Sequence, residues 1–230
     1  MRVTATVFAL LLTMPGLAGA QAWEEFNFIQ DGFAINFPGK PKITEITWDS
    51  QLRYKLPARV YNADRDGGRE RFSVTVVDYS SLEQQGTARW KQCPPGNSQC
   101  RDGGETIGPG YWKQDERGAI VYAINQYIRK PEYKVTYYAW DWQDMVEGHS
   151  LQLDGQDGRR TLVYVAMHER KLYILEGSVP HGQPEPGLFQ QSLGWLDKEG
   201  KRIRYTETVY SNSYHGLGVY PKPAYRISND

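Results

Sequence analysis

Residues 160–179 read RTLVYVAMHERKLYILEGSV, and this stretch decides the fold class. Leu162 to Met167 and Leu172 to Val179 are runs rich in β-branched, aromatic and aliphatic residues. They are separated by the polar triplet His168-Glu169-Arg170, the pattern of two antiparallel strands joined by a tight turn. Strand signals continue upstream. Phe33, Ile35 and Phe37 alternate with Ala34 and Asn36 before Pro38-Gly39-Lys40-Pro41, where two prolines lacking a backbone N–H stop the ladder. Ile43 to Trp48 and Ala58 to Ala63 read as further strands. The polar turn at residues 64–68 leads into a strand over Glu70 to Asp78, with Phe72, Val74 and Val76 on one face. Connections this short predict an antiparallel meander, because parallel pairing needs long crossovers.

Helical spacing is confined to three places. A helical turn is expected near Ser81 to Trp90, ahead of an irregular insertion that reaches Gly110. Ala119, Ile120, Ala123, Ile124, Tyr127 and Ile128 recur at helical spacing, with Asp115 as candidate cap and Pro131 just beyond the basic end Arg129-Lys130. Leu188, Phe189, Ser192, Leu193 and Leu196 fit one face of a third helix, and Arg202 to Thr206 is a last candidate strand. Strands outnumber helices. The expectation is an α+β chain with a mostly antiparallel sheet of about six or more strands flanked by helices; the alternative is a β-rich sandwich with one or two helices. A single domain is expected over residues 21–206, with an irregular Tyr-rich tail from 207 to 230 whose packing is left open.

The first twenty residues predict an address. Arg2, the short apolar run from Val7 to Met14 and the small-x-small ending Ala18-Gly19-Ala20 have the pattern of a cleaved secretory signal. The run is too short to span a bilayer, which takes roughly 20 residues, so no stable membrane insertion is expected after cleavage. A periplasmic or secreted product follows. The whole chain has 230 residues with 27 Lys plus Arg and 27 Asp plus Glu; only Arg2 is lost with the signal, which leaves a formal charge of −1. That balance offers none of the basic excess through which proteins hold nucleic acid.

Cys93 and Cys100 close the run CPPGNSQC. In an oxidising compartment this spacing favours a loop disulfide, with turn-forming Pro94-Pro95-Gly96-Asn97 between its ends. The chain-entropy gain is roughly 2.5 kcal/mol, enough to fix a loop. The alternatives, a redox pair or a metal clip, lack the two-residue spacing or the further ligands they need.

No catalytic constellation emerges. There is no Gly-x-Ser-x-Gly elbow, and Ser178 reads as an ordinary strand serine. His149, His168, His181 and His215 are widely spaced without a metal-binding pattern and read as solvated loop residues, so no metal and no cofactor is expected. Asp141 and Asp144 beside Trp140 and Trp142 could be cast as a glycosidase acid and base, but acids ending a strand usually make a solvated turn. Residues 154–158, DGQDG, lack the Glu and ligand alternation of a calcium loop and read as a tight hairpin turn. The glycines at 103–104 and 108–110 sit outside the strand-to-helix context of a phosphate cradle.

The run Tyr133 to Trp142, YKVTYYAWDW, leaves most room for function. Simple alternation puts Tyr138, Trp140 and Trp142 on one face and Tyr133, Val135, Tyr137 and Ala139 on the other. With both faces apolar, a sheet covered on both sides makes this a central strand. Cover on one side only would leave Tyr138, Trp140 and Trp142 as an exposed platform for stacking on sugars or on a partner surface.

GFAINFPGKP at residues 32–41, RTLVYVA at 160–166, KLYILEG at 171–177 and the helix with Phe189 and Ser192 together resemble the exported PsbP-like and DcrB-like proteins. The resemblance covers roughly half the chain. It implies an antiparallel sheet with helices on both faces, a PsbP-like α/β/α sandwich whose first strand ends in Phe-Pro and starts the sheet. It also implies accessory or binding work in an exported compartment, generally without catalysis. No family metal or cofactor residue matches by position. Two functions follow as expectations: a non-catalytic accessory or interaction protein of the cell envelope, with an envelope protein or glycan as partner, or a carbohydrate- or small-ligand-binding protein using the Tyr138, Trp140 and Trp142 region.

Overall fold

The computed structural model describes residues 23–96, 110–210 and 224–225. A seven-stranded antiparallel sheet organises it, in the spatial order β3 (Lys42–Asp49), β4 (Lys55–Arg65), β5 (Glu70–Asp78), β9 (Lys171–Pro180), β8 (Arg159–His168), β7 (Val146–Gly155) and β6 (Tyr133–Gln143). Two meanders thus meet at its centre. β3–β4–β5 and β6–β7–β8–β9 are each built from hairpins, and β5 joins β9 in register, Val74 opposite Leu175 and Val76 opposite Tyr173.

The hairpin at residues 159–180 forms as expected, with a tighter turn. Glu169 and Arg170 alone make the connection, at φ 45° and 61°, the left-handed pair that matches the twist of two-residue hairpins. His168 therefore belongs to β8, paired with Lys171, rather than to a loop.

Alternation along the central strands builds two cores. On one face Leu56, Ala58, Val77, Leu151, Leu153, Val163, Val165, Leu172 and Ile174 pack against α1 (Leu82–Lys91) and α2 (Trp112–Ile128), which contribute Leu82, Trp112, Ala119, Ile120, Ala123 and Ile124. The two helices meet closely at Gly86, where an added Cβ would lie 2.7 Å from the Cβ of Trp112. α2 starts at Trp112, so Asp115 is not its cap. Its carboxylate is buried in the first turn and accepts the Leu52 N–H at 3.1 Å, tying the β3–β4 turn to the helix.

On the other face Tyr61, Phe72, Val74, Tyr164, Tyr173 and Leu175 meet a second layer. That layer is a three-stranded sheet of β1 (Glu24–Phe28), β2 (Phe33–Phe37) and β10 (Gly194–Trp195), together with the short helix α3 (Gly187–Gln191). Phe33–Phe37 therefore does not start the large sheet, as the resemblance had implied. Every side chain of β2 except Asn36 is buried, because the strand is central in its own small sheet and lies over the large one. The helix expected through Leu196 stops at Gln191. Gly194 and Trp195 instead pair with Ala34 and Phe33, and the Trp195 indole is fully buried between Tyr173 and His168. At about 1.5–3 kcal/mol for a buried large apolar side chain, that burial favours the strand pairing over a further turn of helix.

Beyond Glu207 some of the described residues are tied to the fold. Val209 is buried and bridges Val146, and Ala224–Tyr225 (β12) pairs with Ile203–Arg204 (β11). The whole is an α+β fold with helices on both faces of an antiparallel sheet.

Candidate functional site

β6 is the outermost strand, so the central-strand reading of Tyr133–Trp142 fails. A strand apolar on both faces lies at the edge, and Tyr138, Trp140 and Trp142 are 46%, 48% and 45% exposed. The pairing with β7 carries a bulge between Val135, opposite Leu153, and Tyr137, opposite Gln152. One extra residue reverses the alternation beyond it. Tyr133 and Val135, before the bulge, pack partly against the core beneath α2. Tyr138, Trp140 and Trp142, after it, stand opposite Leu151, His149 and Glu147 on that same side of the sheet. The two-face grouping read from simple alternation is therefore broken at Thr136, and Tyr137 points to the other side, 50% exposed.

The stripe rises along one strand at roughly 6.5–7 Å per step, set by two residues of strand rise. Behind it lies a residue that spacing did not reveal. His149 is largely buried in β7, with its ring centroid 5.6 Å from those of both Tyr138 and Trp140. Its Nδ1 and the Tyr138 hydroxyl share a hydrogen bond of 2.8 Å. Burial pulls the His149 pKa below its ordinary value, against the opposing charge of Glu147, so the neutral ring is favoured. The Tyr138 hydroxyl is pushed up by burial and stays protonated. Strand register alone brings these groups together: Trp140 and His149 are direct partners, and Glu147 follows His149 at the two-residue period.

The remaining candidates scatter. Asp141 lies on the opposite face from the stripe, accepting the Ser150 hydroxyl at 2.6 Å and the Trp142 N–H at 2.8 Å. Asp144 sits in the β6–β7 turn, ion-paired with Arg204. The two carboxylates thus support local structure, and neither faces the indoles. Ser178 is bonded across the ladder to Thr161 and Arg159. Residues 155–158 make the tight β7–β8 turn.

His168 is buried in the second core, stacked on Trp195 at 4.3 Å with Nε2 2.7 Å from the Tyr205 hydroxyl; burial, aided by Lys171, pulls its pKa down to about 3. The loop readings of His149 and His168 are thus both overturned, for one reason: register carries each into the interior side of a strand. His181 keeps its loop place, 3.5 Å from Arg160. Cys93 follows α1, its N–H bonded to the Trp90 carbonyl, whereas Cys100, the glycines at 103–104 and 108–109, and His215 lie outside the described residues. No group of three or more His, Cys, Asp or Glu arranged for a metal occurs among the described residues, and no helix among them is long and apolar enough to cross a membrane.

A second polar cluster is structural. Asp31, buried at the end of a 3-10 turn (Ile29–Asp31), accepts from Arg59 at 2.7 Å and from Tyr61, with Lys171 at 3.7 Å. Burial pushes its carboxyl up, but these donors more than offset it and hold it below the ordinary value. It pins the second layer to the large sheet.

No family model and no curated protein matches the chain. A solved structure is similar: the solution structure of cyanobacterial PsbP from Synechocystis sp. PCC 6803, at 14% identity and a TM-score of 0.41, covering 80% of this chain and 99% of that one.

Proposed function

We propose that this is an exported, non-catalytic binding protein of the cell envelope that stacks glycan chains on Tyr138, Trp140 and Trp142. The exposed stripe carries the reading: three neighbouring aromatic rings, each about half open, at one edge of an otherwise well-filled sheet. Contiguous exposed apolar surface of this kind marks interaction sites in soluble proteins. Indole and phenol rings present flat apolar faces to sugar C–H groups, while the Tyr138 hydroxyl, held by His149, supplies a fixed polar contact. The leader-like residues 1–20 and the closely spaced Cys93 and Cys100 support export, with a disulfide between them.

The test is titration of the mature protein with soluble cell-wall glycan fragments, followed by tryptophan fluorescence. Saturable quenching that is lost in Trp140→Ala and Trp142→Ala is expected; absence of any saturable change overturns the glycan reading.

A second reading is favoured by the outer edge of β6, whose main-chain groups face no further strand among the described residues. An accessory protein could pair a partner's strand there. A reproducible partner recovered from the envelope fraction, and lost when Thr136 is replaced by Pro, would support it.

A further inference from the structure

A separate pocket of about 440 Å³ opens on the opposite side of the large sheet, between β5, the end of β9 and α3. Its floor is aromatic. Phe72 and Phe189 are both buried, with centroids 5.3 Å apart, and Trp23 stands edge-on over Phe72 at 4.8 Å. One wall is the segment Pro184-Glu185-Pro186, held firmly because Pro186 packs where a Cβ on Gly177 would lie, 2.7 Å from its own Cβ. Leu188 forms the lip and is 81% exposed, the most exposed large apolar side chain among the described residues.

Polar groups converge on this apolar floor. Asn36, Arg65 and Gln183 line the pocket, and their side chains make no hydrogen bond to another described residue. Arg65, half exposed, meets Glu70 at 3.6 Å from Nε, and its two terminal nitrogens are engaged by no described residue; Glu185, the other acid in the lining, is taken by Arg160 at 2.6 Å. A guanidinium fork with both terminal nitrogens open is the geometry that takes a carboxylate in two parallel bonds. Volume, apolar lining and a few convergent polar groups are the attributes of a small-molecule site rather than of a flat docking face.

We propose that this pocket binds a small amphiphilic carboxylate, its apolar body resting on Phe72 and Phe189 between Trp23 and Leu188, and its acid group held by Arg65. The site is independent of the aromatic stripe on β6. A linear body and a flat aromatic one share this chemistry and are separated by the choice of probe.

The mature protein is titrated with decanoate, with 2-naphthoate and with the uncharged decanol, read by tryptophan fluorescence and by calorimetry. One of the two acids is expected to bind saturably, and the one that does identifies a linear or a flat body. Arg65→Gln is expected to weaken the acid about tenfold or more, the scale of losing a charge-assisted bidentate contact, while leaving decanol unchanged. Leu188→Asp, at an exposed position, is expected to abolish binding of the acid that the wild type takes while the urea midpoint stays that of the wild type. The proposal is overturned if neither acid binds saturably, or if Arg65→Gln and Leu188→Asp proteins bind the acid as the wild type does.

Discussion

His149 and His168 keep the same company in two different places. Each shares a hydrogen bond with a tyrosine hydroxyl, Tyr138 at 2.8 Å and Tyr205 at 2.7 Å, and each lies against an indole, Trp140 and Trp195. The second trio is sealed between the two sheets, whereas in the first the aromatic partners form the rim of the fold. Identical chemistry therefore serves packing in one case and leaves an open surface in the other. What differs is strand order: β8 has neighbours on both sides and a layer over His168, while β6 ends the sheet.

The comparison is broken most sharply by emptying the sealed trio. Trp195→Ala is expected to cost about 3–5 kcal/mol, the range for a large aromatic removed from a packed core, as a lowered urea midpoint. Trp140→Ala on the rim is expected to change stability by under about 1 kcal/mol in the same assay, because its indole is half exposed already.

Protonation separates the two histidines next. The His168 pKa lies near 3 in the folded chain against roughly 6.5 unfolded, so between those values the unfolded chain binds more protons. Stability from this residue is complete above about pH 6.5 and falls as pH is lowered, by up to about 1.4 kcal/mol per unit. Buried Asp115 and Glu116 act with the opposite sign, since burial raises both, so wild type must be compared with His168→Gln. Urea unfolding at pH 7, 6 and 5 should show a steeper loss in the wild type. Equal slopes would sink the assignment.

For the rim trio the readout is binding. Tyr138→Phe removes the hydroxyl shared with His149 but keeps the ring, and glycan affinity is expected to fall several-fold, less than for Trp140→Ala. The smallest effect concerns the turn that presents the stripe. Met145 sits at φ 68° after Asp144 at 49°, and Met145→Gly creates an Asp-Gly pair suited to that turn. A gain of about 0.5–1 kcal/mol is expected, measured by thermal unfolding.

Local patterns were legible to the extent that they were local. The runs 33–37, 70–78 and 133–142 coincide with β2, β5 and most of β6 because alternation and β-branching act within a strand. Sheet order is not legible in the sequence, since it depends on which hairpin meets which, and a strand apolar on both faces therefore reads as central. Asp115 looked like a cap because caps and first-turn acids share a residue type, but its partner is Leu52, 63 positions away. The stripe's residues could be named from the sequence. His149 behind them could not, because cross-strand register depends on a bulge that no residue type announces. Trp23 and the pocket it overhangs escape a sequence reading for a related reason: among the described residues β1 pairs with β2 alone, and its half-exposed pattern carries little periodic signal.

The bulge at Thr136 makes the stripe a matter of parity. A strand repeats every two residues, so the unpaired residue shifts the phase of everything after it by half a period. Deleting Thr136 alone would leave the composition of β6 almost unchanged, yet it would turn Tyr138, Trp140 and Trp142 through the sheet and bring Asp141 to the side they now occupy. In this chain the choice of which side of the molecule carries its aromatic surface is thus encoded in a count of residues being odd or even, and a single-codon insertion or deletion is the mutation to which that surface is most sensitive.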